Sequence, residues 1–237
     1  MSDKDILDSL FYRLSEIMKS EGIKHISEIK FDDKHSLTFY SEIVNNSISI
    51  RKPPLFLYDD FFFLSNDLIH FTLLLFLFRP FINDPAKENG TYFQNWYDAR
   101  YLSYSSVLYS TVYNFWDRIG DLLNCFFDTG LTEGSVYIGR VINNFPKYCR
   151  DSKYYQQLKD IYMSKIQHLI IERNEDAHNQ SIVTGHYFNI VLAKGEDQLE
   201  KAELKFSLPE IFKEQINLAH TGFELALRLI KEKRWKS

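Results

Sequence analysis

The chain has 237 residues, 45% hydrophobic and 25% charged, with a formal charge of −4. That length suits one sizeable core and is short for two. The charge excludes the strong positive field of a generic nucleic-acid binder, so any such contact must come from a local patch. Two isolated cysteines, Cys125 and Cys149, without Cys-x-x-Cys spacing argue against a disulfide framework or a structural zinc site. Aromatic residues reach 16%, with 20 Phe and 15 Tyr, so much ring area must be buried in a core or a subunit interface.

The N-terminus, Met1-Ser2-Asp3-Lys4-Asp5, is charged and lacks an apolar signal core, so the expected location is cytoplasmic. Ser2 can cap a first helix to about Ser20, with Ile6, Leu7, Leu10, Leu14 and Ile17 on its apolar face and Gly22 ending it. Residues 23–56 are less regular. Within them Ser36–Tyr40 and Ser47–Arg51 are β-prone, and Pro53-Pro54 is a firm break. Leu55–Ile82 is the most apolar segment. Asp59, Asp60, Asn66, Asp67 and His70 interrupt it, so it reads as a buried core helix rather than a membrane span.

Asn83–Gly90 is a loop. Tyr92–Phe127 contains no proline and reads as one long helix, or two nearly collinear ones, with a broad apolar face, stopped by Gly130. A shorter helix is expected over Gly134–Phe145, with Pro146 at its exit. Ser152 then caps a helix running to about Asn179. Tyr187–Ala193 and Lys201–Phe206 are β-prone and predict a small hairpin or extended insert. Ser207-Leu208-Pro209-Glu210 has the spacing of a capping box and predicts a last helix from there to about Lys233. The whole is expected to be one domain over 1–237: a helix and irregular segment (1–56), a bundle core (57–180), an insert (181–206) and a terminal helix (207–235).

The densest chemistry lies in Glu172-Arg173-Asn174-Glu175-Asp176-Ala177-His178-Asn179. Upstream, Leu158, Tyr162, Ile166, Leu169 and Ile170 form a stripe with helical spacing, which Arg173 and Ala177 continue. A guanidinium ending a core-facing stripe must find a carboxylate, a phosphate or water. This marks a candidate anion site with an imidazole that titrates near neutral pH. Asn174 and His178, four apart, share a helix face. Arg173 and His178 lie about 140° apart on an ideal helix. They converge on one ligand only if the helix ends between them or a second copy supplies the missing group. Asp176 can pair with Arg173 and would then compete with phosphate. The plainer alternative for Arg173 and His178 is a satisfied surface or inter-helix pair.

Arg-Asn-x-x-x-His at the end of a long helix in an all-helical chain resembles the Arg-x4–6-His motif of the HEPN superfamily, with Asn174 matching the polar residue preferred after the arginine. Phe115–Asn124, with Asp117 followed by Arg118 among aromatics, is similar to the preceding long helix in some bacterial HEPN branches. The two stretches come in the expected order. The resemblance implies a mainly α, up-and-down helical bundle, commonly dimeric. It also implies a metal-independent endoribonuclease with no cofactor, a candidate toxin or defence effector acting on RNA, for which a neutralising antitoxin is a candidate partner; the interrupted apolar run of Leu55–Ile82 is the reason no membrane contact is expected. His178 would be general base or acid. Arg173 would stabilise charge on the pentacoordinate phosphorus, and Asn174 would orient His178. A non-catalytic RNA- or nucleotide-binding or dimerisation module is the alternative.

Asp117 has two readings: a partner for Arg173 or His178, or a local pair with a basic neighbour. Arg118 is a candidate RNA contact. So are Arg234 and Trp235, within the cluster Lys231, Lys233, Arg234 and Lys236. There the cations also complement the helix dipole, and Trp235 could stack on a base. The other histidines lack metal-ligand spacing such as His-Glu-x-x-His.

Overall fold

The computed structural model describes residues 2–84, 94–171 and 196–236. The chain is an all-α helical bundle, as expected, in which two short strands form one hairpin among the described residues. The helices are α1 (Asp3–Ser20), α2 (Ser36–Asn46), α3 (Leu57–Phe78), α4 (Trp96–Phe126), α5 (Ile138–Asn143), α6 (Lys153–Ile161) and α7 (Glu196–Arg234). The strands are β1 (Lys30–Phe31) and β2 (Lys34–His35). The residues group into two compact units. One comprises Met1–Lys24, Asp67–Ser110 and Glu172–Glu214; the other comprises His25–Asn66, Thr111–Ile171 and Gln215–Ser237.

In the first unit, Ser2 and Asp5 cap α1 reciprocally, and Gly22 ends the turn beyond it at φ 63°. Asn95 and Asp98 do the same for α4: Asp98 N–H donates to Asn95 Oδ1 at 2.9 Å, and Asn95 N–H to Asp98 Oδ2 at 2.9 Å. Asp98 is fully buried and forms an ion pair with the equally buried Lys205 of α7. The Lys205 ammonium also donates to the Asn83 carbonyl at 3.2 Å.

This unit corrects one sequence expectation. Lys201–Phe206 is helical rather than extended, because α7 starts at Glu196 and runs through Pro209. Proline has no amide hydrogen, so it leaves the carbonyl four residues earlier, on Lys205, without its helical donor. The Tyr101 hydroxyl, itself buried, donates to that carbonyl at 2.7 Å, and Arg79 donates to the next one, Phe206, at 3.4 Å. Ser207, expected to cap, bonds back to the Leu204 carbonyl, and Glu210 pairs with Arg79.

The second unit is centred on Phe223 of α7. The rings of Phe61, Tyr40, Phe31 and Tyr58 surround it at 4.5, 6.1, 6.2 and 6.4 Å. Phe61 also meets Phe115 at 5.2 Å. Ser36–Tyr40, expected to be β-prone, begins α2 instead. Phe39, Tyr40 and Ile43 recur at helical spacing and are buried. The hairpin falls just before it, across Asp32 and Asp33 at φ 49° and 64°. Such a two-residue turn needs left-handed backbone, which Asp tolerates better than most residues. The second β-prone piece, Ser47–Arg51, makes a single bridge, from Ser47 to Trp235. The expected helix over Gly134–Phe145 is shorter, Ile138–Asn143, after a 3-10 turn at Glu133–Ser135.

Leu57–Phe81 is long and apolar enough to cross a membrane, with mean hydropathy 1.8, and half of that window is buried. Phe61, Leu68 and Leu75, seven residues apart, are fully buried.

His220 is buried beside Ser65, whose hydroxyl lies 3.1 Å from Nε2. Burial, with a smaller contribution from His25, pushes its pKa down to about 3. The folded protein therefore keeps His220 neutral where the unfolded chain, with an ordinary histidine pKa of about 6.5, takes up a proton. Stability is unaffected by this group above pH ~6.5 and falls by up to about 1.4 kcal/mol per pH unit between ~6.5 and 3. Urea unfolding across this range should show a shallower acid slope for His220→Gln than for wild type; equal slopes would contradict the assignment.

Candidate functional site

The motif helix opens as expected. Ser152 accepts the Tyr154 amide and donates to Glu232 at 2.7 Å. Leu158, Tyr162, Ile166, Leu169 and Ile170 are all buried, as the stripe predicted. The helix is not uniform, however. Tyr162–Ile166 forms a π turn. The wider ring takes in an extra residue and re-aims the side chains beyond it, and such turns recur at functional sites. Nothing in the residue pattern marked it. Arg173, Asn174, Asp176 and His178 lie outside the described residues.

The second stretch, on α4, is fully described. Asp117 Oδ1 accepts the Ile138 amide at 3.2 Å, at the start of α5. Gly120, one turn on, allows this approach, since a Cβ there would stand 3.2 Å from the Ile138 backbone. Asp117 also acts on the motif helix. Burial raises the Tyr162 pKa, and the negative charge of Asp117 raises it further. Gly139 completes the contact, because any side chain there would collide with the Tyr162 hydroxyl. The acidic residue of one stretch thus sits electrostatically beside the helix that leads into the other. Arg118 does not pair with Asp117. It donates to Asp121 at 2.6 Å and approaches Asp60 at 3.7 Å.

Asp117, Arg118, Asp121, Asn124 and Cys125 line one wall of a cleft of about 770 Å³ in the second unit. The opposite walls come from Arg51, Lys52 and Pro54 and from Thr132, Gly134, Val136 and Tyr137. The 50–51 segment is held by chemistry at the end of α4. The Cys125 carbonyl, in the last helical turn, has no intrahelical donor and accepts the amides of Ile50 and Arg51 at 2.8 and 3.0 Å. Arg51 reaches on to the Leu131 carbonyl at 3.1 Å. Burial pushes the Cys125 thiol up to about 11, so it is no nucleophile near neutral pH. Tyr137 stands on the rim, 43% exposed, with the Arg140 guanidinium 5.5 Å from its ring. The sequence reading missed Arg51, Lys52 and Tyr137. The Pro53-Pro54 break was the available sign that an ordered strap passes here.

The C-terminal cluster is elsewhere. Arg234 donates to the Ile48 carbonyl at 2.9 Å, Lys236 N–H to the Asn46 carbonyl at 2.8 Å, and Lys231 lies 5.7 Å from the Trp235 ring. Arg234 and Lys236 thus tie the end of α7 to Asn46–Ile48.

An all-α bundle with adjacent Asp117 and Arg118 on its long helix α4, followed in sequence by Arg-Asn-x-x-x-His, agrees with a HEPN-type protein. The chain belongs to the Cthe2314-like HEPN family, whose family model matches residues 76–231. Comparison with curated proteins and with solved structures gave no match.

Proposed function

We propose that the protein is a metal-independent endoribonuclease. The observation that carries this reading is membership of a HEPN family over a span that includes both Asp117-Arg118 and Arg173-Asn174-x-x-x-His178. The ribose 2′-hydroxyl attacks the adjacent phosphodiester and the 5′-hydroxyl leaves. His178 moves the proton, Arg173 neutralises charge building on phosphorus, and Asn174 orients the imidazole. Arg118 is a further phosphate contact. Its pairs with Asp60 and Asp121 are partly exposed and therefore weak enough to exchange for a phosphate. The setting we propose is a cytoplasmic toxin or defence effector, held in check by an antitoxin.

The active unit in this reading is a two-fold dimer, because the five-residue spacing of Arg173 and His178 would set them about 140° apart on an ideal helix. The experiment compares wild type with Arg173→Lys on single-stranded RNA in EDTA. Lysine keeps the charge but loses the two-pronged donor, so cleavage should fall by about an order of magnitude or more. Equal rates would remove the bidentate contact. Mixing Arg173→Ala with His178→Ala chains tests the dimer: recovered cleavage supports a site shared between copies, and a fully active monomer in sedimentation contradicts it.

A non-catalytic RNA-binding module is the second reading. The mixed charge of the cleft favours it, since acidic Asp117 and Asp121 stand among its cations. RNA retained without cleavage would select this alternative.

A further inference from the structure

We propose that the first unit carries a separate site for a small amphipathic anion with an alkyl or aryl body. The site is a pocket of about 390 Å³ formed by α1, α3 and α4, within the size range of small-ligand sites. Leu10, Leu74, Leu77 and Phe78 supply its apolar surface, with the rings of Tyr97 and Tyr104. Phe78 meets those two rings at 6.0 and 5.6 Å, so the aromatic wall is packed in place.

The helix forming the near wall is not occupied in burying its own apolar side. Leu14 is the buried residue of α1, whereas Ile6, Leu7 and Phe11 are 49%, 52% and 60% exposed. An apolar helix face left in water is the usual mark of a binding surface. Charge then selects the occupant. Ser9 and Arg13, one turn apart on α1, both line the pocket, and neither side chain has a hydrogen-bond or ion-pair partner among the described residues. Arg100, three residues from Tyr97 and four from Tyr104 on α4, is not part of the lining; its guanidinium stacks 4.4 Å over the Trp96 ring.

A cation without an acidic partner, Arg13, in the lining of an apolar hollow fits a ligand with a greasy body and one anionic end. A nucleotide fits poorly. Its base edges and ribose hydroxyls would lose more water against the leucines than the few polar groups of the lining, on Ser9, Arg13, Tyr97 and Tyr104, could replace. An alkyl chain or unsubstituted aryl ring has nothing to leave unpaired. This site shares no residue with the cleft around Asp117, and it stands whether or not the protein cleaves RNA.

The experiment is a titration of the full chain with 8-anilinonaphthalene-1-sulfonate, followed by displacement with dodecanoate. Saturable binding at one site per chain, reversed by dodecanoate, is expected. Arg13→Gln should weaken both anions about fivefold or more and leave the neutral probe N-phenyl-1-naphthylamine unchanged, because only a charge-assisted contact is removed. Ser9→Trp, on an exposed helix position, should block all three probes without lowering the thermal midpoint. Absence of saturable binding, or equal affinities in wild type and Ser9→Trp, would overturn the proposal. So would a dimer in sedimentation that Ser9→Trp dissociates and dodecanoate leaves intact, which would make a second copy the occupant.

Discussion

Lys205→Met lowers the unfolding free energy by about 3–5 kcal/mol, the usual consequence of breaking a buried ion pair. Lys205 and Asp98 are both fully buried, so removing the ammonium takes a close counter-charge away from a buried carboxylate. Asp98 cannot simply turn to water, because its Oδ2 also accepts the Asn83 and Asn95 amides at 3.2 and 2.9 Å. The pair thus anchors both residues flanking the 84–94 segment to α7. A loss of this size is a large fraction of the roughly 5–15 kcal/mol that stabilises a typical domain. The double change Asp98→Asn with Lys205→Met should recover most of it. Asparagine keeps an acceptor for the two amides, and neither member of the pair is left charged without the other. Chemical denaturation of the three proteins measures this. A single variant as stable as wild type, or a double variant no better than the single, would contradict it.

In the proposed ribonuclease, His178→Ala is expected to lower RNA cleavage by at least about 10²-fold. An imidazole with an ordinary pKa of about 6.5 exchanges protons readily near neutral pH, and alanine offers no substitute. The effect is on rate rather than binding, so the variant should still retain RNA while its turnover collapses. Undiminished cleavage by a variant of wild-type helicity would remove His178 from the mechanism.

The sequence made the local signals legible and hid the tertiary ones. Ser2 and Ser152 cap their helices because a hydroxyl before an amphipathic run satisfies amides within the same turn. The stripe from Leu158 to Ile170 was readable because burial follows helical spacing. Ser207-Leu208-Pro209-Glu210 misled for a definite reason. Its spacing is that of a helix start, yet Tyr101 and Arg79 supply the donors that let the helix pass through Pro209. That compensation comes from about a hundred residues away and leaves no local trace. Asn95-x-x-Asp98 did carry a readable capping signal, which would have placed the start of α4 at Trp96 rather than Tyr92. The burial of Asp98 against Lys205 had none, because a lone lysine on a helix usually faces solvent.

The site was legible in part. Asp117 and Arg118 were singled out, and the structure places both on a cleft wall. Three of their contacts were not read from the sequence. Asp117 accepts a backbone amide from Ile138, and Arg118 is held by Asp60 and Asp121. Arg51 and Lys52 join the same cleft only because the Cys125 carbonyl, at the end of α4, draws in the amides of Ile50 and Arg51.

Whether this chain cleaves RNA by 2′-hydroxyl attack without a metal is tested most directly by the chemistry of the product ends. Wild-type protein is incubated with a mixed-sequence single-stranded RNA pool in excess EDTA, with His178→Ala in parallel, and the new termini are analysed. The expected result is 2′,3′-cyclic phosphate and 5′-hydroxyl ends from wild type and none above background from the variant. No cleavage by wild type, cleavage abolished by EDTA, or 5′-phosphate ends would contradict the proposed mechanism.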